Sequence, residues 1–308
     1  MKVTAAMVKE LREMTGAGMM DCKKALAETN GDIDKAVDFL REQGLGAAEK
    51  KAGRIAAEGV SAVKVSDDGK VGAIVEVNSE TDFVAKNDKF LDYVNAVVEQ
   101  VAKTDANNLD EFLAEPWELD TDKTVEQELS SQISIIGENM KIRRIDKIVT
   151  DNGFVESYVH SGGKIAVLVE MESDVVNDIA KEAAKNVAMQ VAAIAPKYLN
   201  REEIPQEYIE KEKEILKVQA MNEDSNKPEH IIEKIIEGRL NKELQAVSLV
   251  DQEYVKDSSL TVQKYLDQIS KEIGSELSIK KYVRYETGEG IEKREENFAE
   301  EVAQQLGR

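Results

Sequence analysis

Cysteine is almost missing from this chain: Cys22 is the one example in 308 residues. A single thiol excludes an internal disulfide and a thiolate zinc cluster. The two histidines, His160 and His230, fall in different structural regions. There is no Gly-x-Ser-x-Gly elbow and no Gly-Lys-Ser/Thr phosphate loop. Thr15-Gly16-Ala17-Gly18 contains Gly-x-Gly, but without dinucleotide spacing or a preceding strand. Acidic pairs abound, yet none stands out as a general acid–base couple. The expectation is a protein that is not an enzyme and has no catalytic residues, no cofactor and no metal. No apolar run approaches the roughly 20 residues that cross a bilayer. Met1-Lys2-Val3-Thr4 leads straight into an amphipathic pattern rather than a signal-peptide core. A reducing cytoplasm is therefore the expected location, with no membrane partner. Aromatic residues make up only 5%, and Trp117, after Pro116, reads as a packing anchor.

Acid is plentiful. With 61 Asp and Glu against 41 Lys and Arg, the net charge is −20. Such a field repels phosphate backbones, so direct binding to naked nucleic acid is not expected. It suits solubility, or a basic patch on a partner. The length implies more than one domain and a sizeable core.

The stretch that organises the chain is Glu80-Thr81-Asp82-Phe83-Val84-Ala85-Lys86-Asn87. Before it, residues 71–77 are β-branched and bounded by Asp67-Asp68-Gly69, the pattern of a largely buried strand. After it, Asn87 or Asp88 caps a helix whose inward face is Phe90, Leu91, Val94, Val97, Val98 and Val101. The same pattern recurs. Gly59 to Glu76 resembles Gly153 to Glu170, an offset of 94 residues (76 to 170). Asn87-Asp88 resembles Asn177-Asp178, an offset of 90 (87 to 177). The four-residue difference falls inside the strand-to-helix connection. The first copy thus carries an extra turn holding Asp82 and Phe83. Two readings stay open: Phe83 tucks into a local core, or the turn presents it to a partner.

Residues 1 to about 43 read as three short helices, capped by Thr4 and Asp32 and broken at Thr15–Gly18 and Asn30–Asp32. The expected core includes Met7, Val8, Leu11, Met20, Ala25, Leu26, Ile33, Ala36, Val37 and Leu40. Met19 and Met20 either fill that core or, being flexible and polarizable, form a contact surface beside Arg12. Residues 44–58 read as a Gly-, Ala- and Lys-rich linker able to become partly helical. An acidic, irregular region is expected from Thr104 to Lys123, then a helix from Val125 to Ile136 and a strand from Met140. Glu202–Met221 and His230–Ala246 read as an antiparallel helical hairpin, too charged to bury much by itself. A strand is expected at 279–285. Phe298, Val302 and Leu306 suggest a tail helix.

Four segments then carry a resemblance. Leu11–Leu26, Asn78–Lys86, Gly137–Arg144 and Gly288–Lys293 resemble, in order, signature segments of the translation elongation factor Ts family. The resemblance implies an α+β fold: a three-helix ubiquitin-associated-like bundle, a duplicated core with antiparallel sheets, a projecting antiparallel helical hairpin and a short C-terminal helix. The implied division is 1–52, 53–142, 143–195 with 248–287, 196–247 and 288–308. It also implies a guanine-nucleotide exchange factor whose partner is the GTPase elongation factor Tu. Asp82 and Phe83, flanked by Thr81 and Val84, would insert beside the nucleotide and disturb magnesium coordination. Arg12, Met19 and Met20 match amino-terminal contacts that displace the phosphate loop. Ile136, Gly137 and His160 match contacts to other partner domains. A homodimer through the hairpin or core is left open. The competing class is a non-catalytic adaptor or chaperone module built on the ubiquitin-associated-like bundle.

Overall fold

The computed structural model describes residues 3–223 and 228–292, so the expected tail helix lies outside the described residues. Three helices open the chain: α1 (Ala5–Thr15), α2 (Met19–Glu28) and α3 (Ile33–Lys51). Thr4 and Asp32 cap α1 and α3 through their side chains, as the sequence implies. Leu11, Cys22, Ala25, Leu26 and Ala36 are fully buried in a small core of their own. Burial pushes the Cys22 thiol up from its ordinary pKa.

Two expectations need correction here. Met20 is 71% exposed and is not a core residue; Cys22, two positions on, takes the inward place. Of the expected partly helical linker 44–58, residues 44–51 are indeed helical but are the packed last turns of α3, and only 52–57 connect. Gly44 is buried against Ser130, Ser131 and Ser134, and Ala48 packs on the adjoining core. The glycine and alanine form a small-residue helix face that lets the bundle approach closely.

The first half of the core follows: β1 (Glu58–Val65), β2 (Val71–Ser79), α4 (Asp82–Ala85), α5 (Asp88–Lys103), α6 (Leu109–Ala114), β3 (Pro116–Trp117), β4 (Asp120–Thr124), α7 (Val125–Ile136) and β5 (Met140–Val149). The second half comprises β6 (Phe154–His160), β7 (Ile165–Glu172), α8 (Asp178–Ile194), α9 (Gln206–Glu223), α10 (Glu229–Val247), β8 (Glu253–Tyr254), β9 (Asp257–Thr261), α11 (Val262–Ile273) and β10 (Ser278–Glu286). The sheets are antiparallel, in the orders β1–β2–β5 and β6–β7–β10. β5 pairs with β2 as far as Val149, so the expected boundary at 142/143 falls inside one strand.

The repeat extends well beyond what the sequence pattern reveals. After the helices α5 and α8 the offset rises to 137 (Thr124 to Thr261), and both threonines cap the next helix. Gly137 and Gly274 end those helices in the left-handed conformation. Both edge strands bulge at equivalent places, opposite Glu76 in one sheet and Glu170 in the other. The extra 47 residues (an offset of 90 becoming 137) lie between α8 and β8, where α9 and α10 stand. The hairpin is therefore an insertion in the second copy.

The two sheets pack face to face through Ile74, Ile148, Val155, Ala166, Leu168, Val283 and Tyr285. On their outer faces lie α5 and α8. Cover on both sides explains why β2 and β7 read as continuous apolar runs. Reciprocal bonds join the copies: Ser61 N donates to Gly163 O at 2.8 Å and Val155 N to Gly69 O at 2.7 Å. Gly59 and Gly153 hold φ of +125° and +128°, and a Cβ on either would stand within 2.2 Å of a carbonyl oxygen on the paired strand.

The region expected to be irregular is ordered. Asn108 caps α6, and Trp117 is buried with its ring 6.0 Å from that of Tyr93. In the hairpin, Leu216, Ala220 and Ile236 form a separate small cluster, while Ile215, Val218 and Met221 are exposed. Among the described residues, no helix is long and apolar enough to cross a membrane.

Candidate functional site

The site is the connection between β2 and α5. β2 is buried to its last residue, Ser79, whose hydroxyl donates to Thr81 O at 3.1 Å. Thr81 caps α4: its side-chain oxygen accepts from Val84 N at 3.3 Å. The same hydroxyl donates to Glu138 Oε1 at 2.6 Å, and Thr81 N donates to Glu138 Oε2 at 3.0 Å. Beside it, Glu80 Oε1 accepts from Asn139 N at 2.5 Å and pairs with Arg54 at 3.5 Å. Asn139 Nδ2 donates to Arg54 O at 2.7 Å. Below, Ala85 is buried and Val84 packs on the first core. Asn87 then caps α5.

On this anchored turn Phe83 is 82% exposed. The reading in which its ring fills a local core is overturned. Leaving a phenylalanine in water forgoes about 2–3 kcal/mol of burial. Asp82 stands next to it, half-exposed, with Lys86 Nζ 2.7 Å from Oδ2. That hydrogen bond, with the lysine charge, holds the Asp82 carboxyl below the usual carboxylate range. The turn thus presents an ionised acid and a bare ring side by side.

Of the other sequence candidates, Ile136 and Gly137 adjoin this site. Ile136 ends α7, half-buried, and Gly137 turns the chain at φ +91° to place Glu138 under Thr81. His160 is exposed at the end of β6, its Nδ1 3.0 Å from the Tyr158 hydroxyl. Its turn docks on β1 through Ser61 and through the Lys164–Glu58 pair at 2.6 Å. The charges of Glu58 and Lys164 act on Asp82, so this turn flanks the site. Arg12, Met19 and Met20 are exposed on α1 and α2. No hydrogen bond or ion pair among the described residues links them to α4.

Sequence reasoning missed Glu138, Glu80 and Asn139 as supports of the turn. A signal was present: the extra turn sits in one copy of the repeat, and an acid follows the helix-ending glycine in that copy alone, Ser275 standing at the equivalent place in the other. A cleft of about 830 Å³ between the bundle and α7 is lined by several acids. Asp120 there pairs with Arg41 of the bundle at 3.7 Å and with Lys123 at 3.1 Å, and Glu128 pairs with Lys123 at 3.0 Å. These acids are thus taken up in ion pairs, one of which fastens the bundle to the core.

A family model described as Elongation factor TS matches residues 80–289, beginning on Glu80 at the foot of this turn. A curated elongation factor Ts of Clostridium perfringens (strain SM101 / Type A) is 53% identical over 306 residues, covering 99% of this chain and 100% of that protein. The elongation factor Ts of Clostridium novyi (strain NT) is 51% identical over 304 residues, covering 99% of both chains. The chain belongs to the elongation factor Ts family. It therefore stands among the translation elongation factors. The similarity to these relatives runs through the bundle as well, which lies outside the segment matched by the family model.

Proposed function

We propose that this chain is a guanine-nucleotide exchange factor that binds elongation factor Tu carrying GDP and speeds GDP release, allowing GTP to bind. No covalent bond is made or broken. The observation that carries this reading is Phe83: an apolar ring held 82% exposed on a turn fixed by Glu138 and Glu80.

The mechanism follows from linkage. A factor that binds the nucleotide-free GTPase more tightly than the GDP-bound one weakens GDP binding by the same ratio. Phe83 enters a partner pocket beside the nucleotide, and burial of its ring contributes about 2–3 kcal/mol. Asp82, kept ionised by Lys86, brings negative charge towards the magnesium and phosphate site and competes for its cationic ligands. Thr81 and Val84 fix the ends of the turn. A release rate raised about 10⁴-fold needs roughly 5.5 kcal/mol of barrier lowering. Arg12, Met19 and Met20 on the bundle, with Ile136, Gly137 and His160 on the core, supply the remaining contacts. Met19 at 59% and Met20 at 71% exposure offer the flexible apolar surface such contacts use.

Titration calorimetry against the GTPase in its nucleotide-free and GDP-bound forms tests this reading. The expected result is tighter binding to the empty form by at least about 10³-fold. Equal affinity for both forms would make the chain an adaptor instead.

A further inference from the structure

We infer that Glu138 is a positioning residue for nucleotide exchange, acting through Thr81 to hold Phe83 where it enters the partner; this rests on the exchange reading above. Four observations carry it. First, a single carboxylate takes both the backbone N–H and the hydroxyl of Thr81, at 3.0 and 2.6 Å. A two-point grip fixes rotation as well as distance, and both bonds are strengthened by the charge on the acceptor. Secondly, Thr81 is the cap of α4, so its orientation sets that of Val84 N and of the whole four-residue turn. A helix this short has no stability of its own. Thirdly, Glu138 follows Gly137, whose left-handed conformation ends α7, so the grip is rooted in a helix packed against both the core and α3.

The fourth observation is internal to the molecule. In the second copy of the repeat the stretch from Glu170 to Asn177 is four residues shorter than its counterpart from Glu76 to Asn87, and it bears no Asp–Phe turn. There α11 also ends at a left-handed glycine, Gly274, but the next residue is Ser275. Its hydroxyl reaches only Glu276 O, at 3.5 Å. Where the turn is absent the gripping acid is absent too, although strand, helix, cap and glycine are all retained. The acid serves the turn and not the shared scaffold.

The test compares GDP release from the partner GTPase, using a fluorescent GDP analogue, across increasing concentrations of the wild type, Glu138→Gln, Phe83→Ala and the double variant. An amide in place of the carboxylate accepts only one Thr81 bond. Its nitrogen can only donate, so the Thr81 hydroxyl must turn from donor to acceptor, where it already accepts from Val84 N. The charge that strengthens the grip is lost with volume unchanged. The expected result is a maximal release rate about tenfold lower for Glu138→Gln, with the half-saturating concentration within about twofold of wild type. In the Phe83→Ala background the same substitution changes the rate less than about twofold. Hydrogen exchange at the Val84 and Ala85 amides rises in Glu138→Gln. Thr81→Val, which keeps the backbone grip and removes the hydroxyl, gives a second variant of the same sign. Wild-type release by Glu138→Gln, while Phe83→Ala is slow, overturns the role of Glu138 and leaves the exchange reading standing. An undiminished effect of Glu138→Gln in the Phe83→Ala background also overturns it. Wild-type release by Phe83→Ala overturns the exchange reading itself.

Discussion

Gln100 on α5 and Gln190 on α8 make the same pair of hydrogen bonds in the two halves of the core. Gln100 Nε2 donates to Pro116 O at 3.0 Å and its Oε1 accepts from Glu118 N at 2.9 Å. Gln190 Nε2 donates to Glu253 O at 3.1 Å and its Oε1 accepts from Val255 N at 2.8 Å. Each amide ties a two-stranded ribbon to the helix beside it, and both glutamines are nearly fully buried. Gln100→Glu and Gln190→Glu each keep the acceptor and lose the donor. Each is expected to cost about 2–3 kcal/mol, measured by urea unfolding. A loss below about 0.5 kcal/mol in both would show that the ribbons hold without them.

Glu76 makes the fold sensitive to acid. Its carboxylate, buried in β2, accepts from Gly288 N at 2.8 Å, from Asn78 at 2.9 Å and from Arg144 and Arg143 at 2.5 and 3.1 Å. Burial alone would push the carboxyl up; these donors outweigh it and hold it below the ordinary range. A depressed carboxylate contributes stability that is present above its unfolded pKa and is lost as pH falls through the folded one. Glu76→Gln is therefore expected to lower stability at neutral pH by about 2–3 kcal/mol, the difference from wild type shrinking below about pH 4. Urea midpoints at neutral and acid pH check this. A constant difference across that range would mean the ionised form contributes nothing.

Trimming the hairpin should leave the core intact. Leu216, Ala220 and Ile236 form a cluster apart from both core halves, and the hairpin is anchored at its base, where Lys197 N and Tyr198 N donate to Val247 O. A variant lacking residues 214–239, closed by a short glycine-rich turn, is expected to unfold within a few degrees of the parent by calorimetry. A collapse of the core transition would show that the hairpin holds the second half together.

Much of this was legible in the sequence, and the reasons differ from element to element. β2 and α5 announced themselves because burial on one or both faces leaves a periodic apolar pattern. The extra turn was visible as a four-residue gap between two similar modules. The return of the repeat after α8 was not, because 47 inserted residues (an offset of 90 becoming 137) displace it and the conserved features are a cap, a glycine and a bulge rather than a run of side chains. The last turns of α3 read as linker because Gly44, Gly46, Ala47 and Ala48 mimic flexible composition. Only the closeness of α7 turns that run into a packed face. Glu138 was hidden for a different reason: its function lies in a contact with Thr81, 57 residues away in sequence.

The bundle is expected to add affinity and to share in the exchange step, through contacts that supplement those of the Asp82–Phe83 turn. Its contact with the core runs from α3 to α7, and Arg12, Met19 and Met20 face outward from α1 and α2. Removing residues 1–51 should leave a folded core that binds the GTPase more weakly, measured by circular dichroism and calorimetry. Full-rate exchange by the truncated chain would remove the bundle from the mechanism.

In the proposed exchange, the Asp82–Phe83 turn drives nucleotide release. Stopped-flow release of a fluorescent GDP analogue from the partner GTPase, with wild type and with Asp82→Ala combined with Phe83→Ala, tests it most directly. Both side chains are largely outside the core, so the double variant should fold as the parent does. Release by the double variant is expected to be slower by about 30-fold or more, the loss of some 2 kcal/mol of ring burial alone; release at the wild-type rate would mean that the turn does not drive exchange.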